Sequence, residues 1–444
     1  MQKSVHDQRT CVLVQLVLDG LTTQRNFNDD VDIIGRMAAY GYGVDAHDFD
    51  ILSYQQIRIR SAIIALRETP YTPEHFMKRL ISVTICMVMA ACAAAEDDRP
   101  FITEGIAKFD EPWAMAFLPD GRLLVTEKKG RLLLVSQDGR TTTAITGIPT
   151  VDYGGQGGLG DVALHPNVDK NGIVYLSYAE AGESNTRGAA VARGRLSLNE
   201  DGDTLENVEV IWRQVPKVKG RGHYGHRLLF DADGYLFISS GERQKFDPAQ
   251  DMQSNLGKIV RLHDDGSVPD DNPFVDQGGV TAQVWSLGHR NPLGIAFDAH
   301  GQLWNVEMGP RGGDELNRVV RGENYGYPIV SNGDHYSGKK IPDHETRPEF
   351  AAPAIWWTPV ISPGGFIFYD GKLFPDWTGN GLAAGLSSKS LVRIEFDGEK
   401  AREAQRFDMG KRMRAIRQGP TGAIWMLEDK KGGRLLKLTP RPAD

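Results

Sequence analysis

The chain of 444 residues is 40% hydrophobic and 25% charged and holds 50 glycines, the make-up of a globular protein rich in turns and long enough for a large core. Its formal net charge of -7 argues against a general nucleic-acid binder, although local basic clusters could still hold a small anion. Its three cysteines, Cys11, Cys86 and Cys92, all precede the repetitive part, which therefore has no disulfide, catalytic thiol or zinc knuckle.

At the N-terminus, Met77-Lys78-Arg79 leads into an apolar run from Leu80 to Met89 and then a small-residue stretch through Ala95. A basic start, a short apolar core and an Ala-x-Ala end form a secretory signal, too short to span a membrane. The expected organisation is an upstream extension over 1–76 from a mis-assigned start, a signal peptide over 77–95, and one domain over 96–444 in the periplasm. Cys92 offers a possible lipid anchor in place of simple cleavage, and no transmembrane domain is expected.

From Pro112 onward one pattern recurs: apolar strand, Asp/Asn-Gly-type turn, apolar strand. The copies are PWAMAFLPDGRLLVTE from Pro112, GLGDVALHPNVDKNGIVYLSYA from Gly158, HRLLFDADGYLFISSGE from His226, LGIAFDAHGQLWNVEMGP from Leu293, the less regular GGFIFYDGKLFPDWTGNGLAAGL from Gly364, and RAIRQGPTGAIWMLED from Arg414. Six copies spaced by roughly 45 to 70 residues predict an all-β fold, a six-bladed β-propeller whose tunnel gathers loops from every blade at one end. The fourth copy is flanked by two polar knots, Gly288-His289-Arg290-Asn291-Pro292 and Glu307-Met308-Gly309-Pro310-Arg311-Gly312-Gly313-Asp314-Glu315, which leave strand ends of one hairpin-like unit.

Several short motifs sit at such strand ends. Gly155 to Gly160 spells G-x-G-x-x-G, but a strand follows it, so no helix N-terminus exists to receive a pyrophosphate and a nicotinamide site is excluded. The loop either presents the Gln156 amide or is a plain turn. In Gly222-His223-Tyr224-Gly225-His226-Arg227, His223 is a candidate general base and His226 its nearby competitor. Arg412 and Arg414 place two guanidiniums on one side of an extended segment, a pair suited to a multiply charged carboxylate.

The ordered set GGQGGLGDVALHP, GHYGHRLLF, GHRNPLGIAF, EMGPRGGDELN, GENYGYP, HYSGKKIP and KRMRAIRQGPTG resembles the quinoprotein sugar dehydrogenases, the soluble glucose and aldose sugar dehydrogenase family that uses pyrroloquinoline quinone (PQQ). The resemblance covers roughly residues 100–440 and implies a propeller with PQQ over the tunnel mouth. By motif, His223 matches the catalytic base, with Arg290 stabilising charge on the quinone oxygen. Gln156, Arg290, Asn291, Tyr336, Arg412 and Arg414 match cofactor contacts. Gly309 and Pro310 match carbonyls that bind Ca²⁺ on the quinone, and Glu315 and Tyr325 match a further calcium site. The implied activity is oxidation of an aldose at C1 to a lactone, with hydride passed to PQQ and electrons on to an external acceptor.

The sequence departs from the family pattern at two places. Ser387 stands where relatives carry a cofactor lysine, with Lys389 two residues late, and Met308 stands where they often carry His or Gln. Two other functions compete: a cofactor-free propeller that binds a ligand or protein, and a Ca²⁺-dependent propeller lactonase. The lactonase would need a tunnel lined with carboxylates and asparagines.

Overall fold

The computed structural model describes residues 99–442, apart from 201. The signal-type segment, the upstream extension and all three cysteines lie outside the described residues. Among those described, no helix is long and apolar enough to cross a membrane.

Six four-stranded antiparallel sheets stand around a common axis. The innermost strands are Pro112–Phe117, Leu159–Leu164, Gly225–Phe230, Pro292–Phe297, Pro363–Phe368 and Met413–Gln418, and each touches the next around a closed ring. These start within two residues of the repeats read from the sequence. Burial explains why the inner hairpins stand out there. Second strands such as Leu123–Glu127, Leu303–Glu307 and Ile424–Glu428 are buried at every position, whereas an outermost strand such as Lys400–Asp408 is mostly exposed. A strand with sheet neighbours on both sides and blades on both faces reads as a continuous apolar run. The turn between inner and second strands needs a residue at positive φ, supplied by Gly121 (88°), Gly234 (87°), Gly301 (77°) and Gly422 (86°).

The hydrophobic core is divided into six clusters, each filling the gap between two neighbouring blades. Phe117 from the first blade meets Trp425 from the last edge-on, at 5.4 Å between rings. The ring is closed by Phe101–Asp110, which pairs antiparallel with Lys431–Pro440 as the outer strand of the last blade. This closing strand was not foreseen. Outside the inner hairpins its one-sided burial leaves no repeat to recognise.

Arg227 ties the six blades together at the axis. It lies on the third inner strand and is 2% exposed. Its guanidinium stacks 4.0 Å from the Trp113 ring and pairs with Asp161 at 3.2 Å. It donates to the Leu293 carbonyl at 2.7 Å and to the carbonyls of Gly364 and Arg414. One side chain therefore touches the inner strand of every other blade. A planar fork with five donors can satisfy that many directions at once, which a lysine could not.

Candidate active site

The inner hairpins begin and end at one end of the ring, so the segments flanking them meet there. A cavity of about 270 Å³ opens at that point, and its wall takes residues from all six blades or their flanking loops, among them Trp113, Gln156, His226, Leu293, Leu386 and Arg414. Of the residues expected from sequence, Gln156, Asn291, Arg412 and Arg414 are in this wall.

His223 stands beside the cavity, 5% exposed, in a loop held from several directions. Its N–H donates to Gln156 Oε1 at 2.8 Å, and the Gln156 N–H donates to the Arg221 carbonyl at 2.7 Å. The Gln156 amide thus braces the His223 loop. Buried Arg243 clamps the other side, donating to the carbonyls of Gly220 and Gly222 while its guanidinium lies 3.7 Å over the Tyr224 ring. His223 itself is at φ 48, a left-handed conformation that costs a non-glycine residue about 1–3 kcal/mol and persists only where its surroundings enforce it.

The His223 ring hydrogen-bonds through Nδ1 to Glu242 Oε1. Glu242 Oε2 accepts the N–H groups of Lys245 and Phe246, and the Glu242 N–H donates to the Arg290 carbonyl at 2.9 Å. Burial opposes ionisation of Glu242, yet the bond from His223, the Phe246 N–H and the nearby Arg290 hold its carboxyl below the usual value. An ionised carboxylate only accepts hydrogen bonds. Nδ1 therefore carries the hydrogen and Nε2 presents a lone pair. Burial also pushes the His223 pKa below its usual value, with Arg290 adding to that and Glu242 opposing it, so the ring is neutral at pH 7.

Arg290 and Asn291 come next along the rim. The Arg290 N–H donates to Glu307 Oε2 at 2.6 Å and its Nη1 to the Met308 carbonyl at 2.8 Å, while its Nε has no partner. Asn291 Oδ1 accepts the Gly225 N–H at 3.1 Å, joining the fourth blade to the His223 loop. Tyr336 is 73% exposed and lies 5.9 Å from the Arg290 guanidinium, so it stands over the rim. Arg412 and Arg414 both bind Asp429, at 2.8 Å and 2.9 Å, and that carboxylate aligns them. Ser387 is tied to the Ser362 hydroxyl at 2.8 Å beside wall residue Leu386.

Gly309, Pro310, Glu315 and Tyr325 lie behind Arg290. The Gly309 N–H donates to Asp314 Oδ1 at 2.9 Å, and the 309–313 turn packs backbone against backbone. Glu315 faces Glu307 across the second and third strands of the fourth blade, with Asn305 paired to Asn317 in the same ladder. Burial, reinforced by Glu307, raises the Glu315 pKa well above normal. The side-chain oxygens of Asn305 and Asn317 have no partner. The Tyr325 ring stacks on His289 at 4.7 Å, and its hydroxyl is committed to Arg318 and Val320. Among the described residues, no group of three or more His, Cys, Asp or Glu could by itself hold a metal ion. The carboxylate- and Asn-rich patch is inside a blade and does not line the tunnel, whose axis is filled by Arg227.

Residues 109–437 match the glucose / sorbosone dehydrogenase family. The chain belongs to that family. It is 41% identical over 342 residues to the aldose sugar dehydrogenase YliI of Escherichia coli (strain K12), a match spanning 75% of this chain and 91% of that one. It is 30% identical over 301 residues to quinoprotein glucose dehydrogenase B of Acinetobacter calcoaceticus, spanning 62% of this chain and 58% of that one. Among solved structures, the apo-form of the soluble E. coli aldose sugar dehydrogenase aligns with a TM-score of 0.72 at 39% identity, over 77% of this chain and 100% of that one. The PQQ-bound aldose sugar dehydrogenase of Streptomyces coelicolor aligns with a TM-score of 0.64 at 28% identity, over 77% and 98%. Family membership places the chain among the sugar-oxidising oxidoreductases.

In this member of the glucose / sorbosone dehydrogenase family, sequence reasoning missed Glu242 and Asp429. Each follows the second strand of its blade, where Glu127, Glu307 and Glu428 end equivalent strands opposite Pro112, Pro292 and Met413. A recurring acid at that point reads as a turn residue. The available signal was the displacement of Glu242, two residues past the end of Leu236–Ser240, out of the turn position the others hold.

Proposed function

We propose that this chain is a periplasmic aldose dehydrogenase that oxidises the C1 hydroxyl of a sugar to a lactone, with PQQ and Ca²⁺ as cofactors and an external electron acceptor. The observation that carries this reading is the His223–Glu242 pair, a neutral, oriented imidazole beside a cavity whose wall holds Lys128, Arg412, Arg414 and Lys430 against Glu111 and Asp429. Four cations against two carboxylates suit a ligand bearing several carboxylates, as PQQ does. Cation donors are present too: the orphaned amide oxygens of Asn305 and Asn317 beside two opposed carboxylates fit a hard ion.

Arg412 and Arg414 would hold the carboxylates, with Gln156, Asn291 and Tyr336 positioning the ring. Glu315 and Tyr325 would hold one Ca²⁺, and the Gly309 and Pro310 carbonyls would hold another. When bound, PQQ would supply the acceptor for the C1 hydride, and Ca²⁺ would supply Lewis-acid polarisation. His223 Nε2 takes the proton from the sugar's C1 hydroxyl. Glu242 fixes the ring's tautomer and stabilises the imidazolium that forms. Arg290, pinned by Glu307 and the Met308 carbonyl, places positive charge where negative charge develops. The signal-type segment over 77–95 supports export, with Cys92 as the site of an anchor if the protein is lipidated.

The test is reconstitution. Folded apo-protein given PQQ and Ca²⁺ should reduce a dye when supplied with aldoses, and should do so only when both are present. A folded, PQQ-loaded protein that oxidises no aldose would contradict the reading.

A further inference from the structure

His226 occupies a costly position in the cavity wall. Its φ of 83° lies in the left-handed region, where glycine is at ease and a histidine is strained. It is 2% exposed, and neither ring nitrogen has a hydrogen-bond partner. Glycine would remove the first cost, and phenylalanine would keep the packing without the second.

The ring is held from three sides. It stacks on Tyr224 at 5.1 Å and 20°, and meets Trp113 edge-on at 5.7 Å and 79°. Gly160 of the adjacent inner strand leaves room for it, since a Cβ there would stand 2.9 Å from His226 Cγ. The remaining side is the cavity, which Tyr224 also lines, and the Tyr224 hydroxyl is buried without a partner. Burial drives the His226 pKa down to about 3, so at pH 7 the ring offers one N–H and one lone pair.

We propose that His226 is a ligand-binding residue, whose ring hydrogen-bonds a planar, carboxylate-bearing molecule seated in this cavity beside the Tyr224 hydroxyl. The strained backbone is retained for that contact. The inference rests on the reading that the cavity holds PQQ. It assigns a role to the histidine that the motif resemblance leaves without one.

Titration of apo-protein with PQQ at fixed Ca²⁺ tests it, read by affinity and by the absorption of the bound quinone. His226→Gly relieves the backbone strain but also removes the packing on Tyr224 and Trp113, so it is compared with wild type at a temperature where both are folded. It should bind PQQ about tenfold more weakly, with an altered bound-quinone spectrum. His226→Phe, which keeps the stacking, should lose affinity likewise. His226→Asn, which tolerates the backbone and keeps a donor, should recover part of it. Wild-type affinity and spectrum in either His226→Gly or His226→Phe overturn the proposal. A wild-type protein that takes up no PQQ overturns the cofactor reading and this proposal with it; uptake by wild type with equal uptake by the variants overturns this proposal alone.

Discussion

His223 owes its tautomer to a carboxylate that arrives from the far side of its own blade's hairpin, and Glu242→Gln separates that role from binding. A glutamine can turn its amide hydrogen toward Nδ1 and so favour the tautomer with the proton on Nε2, the wrong one for a base. The kcat of the PQQ-loaded enzyme should fall on the order of 10²–10⁴-fold with PQQ affinity unchanged. Glu242 raises the His223 pKa against burial, so its removal lowers that pKa further. The residual activity should therefore keep its acid limb at a lower pH than wild type. A pH–rate profile with an unmoved limb would remove Glu242 from this role. His226 gives a second pH signature, in stability. Its folded pKa of about 3 lies below the ordinary 6.5, so between those values the unfolded chain takes up a proton that the folded protein refuses. Stability is full above pH 6.5 and falls as pH drops through that window, by about 1.4 kcal/mol per pH unit at most. Denaturant midpoints between pH 6.5 and 4.5 should fall less steeply in His226→Gly than in wild type, and equal slopes would contradict the assignment.

The elements that carry the cavity's charge are the starts of inner strands, and the last blade shows how one is prepared. Arg412 and Arg414 flank buried Met413, so both side chains leave the same side of the strand, where Asp429 holds them in line. Replacing both with Ala should weaken PQQ binding by on the order of 1.5–3 kcal/mol per lost charge-assisted contact, without unfolding the protein, since neither is part of the core. Isothermal titration of the double variant checks this, and unchanged affinity would take the pair out of the site. At this scale much was legible in advance. The hairpins announce themselves because their buried strands alternate with turns that require glycine, and His223, Arg290 and Asn291 lie in motifs at the hairpin ends. Glu242, Asp429 and Arg227 were not legible as site or axis residues. Glu242 and Asp429 look like turn acids, and the partners of Arg227 come from five other blades, a relation no local pattern encodes.

For the whole molecule, the propeller depends on its closure and on its axis. Arg227 is the group common to all six inner strands, and its loss would leave the buried Asp161 with only Arg417, at 3.5 Å, as a charged partner. Breaking a buried pair from one side is typically worth about 3–5 kcal/mol, so Arg227→Leu should destabilise the unliganded protein by that order. Chemical denaturation measures it, and a change within about 0.5 kcal/mol of wild type would show that the blades hold together without the axial side chain.

The claim on which the account turns is that His223 is the base for sugar oxidation at this cavity. It is tested most directly in a single turnover, with wild-type protein and His223→Gln loaded with PQQ and Ca²⁺ to the same occupancy and mixed with excess aldose. Reduction of the bound quinone is followed by its absorbance. Loading should be equal, and the rate in His223→Gln should be lower by about 10²–10⁴-fold. Equal rates in the two proteins would contradict the claim.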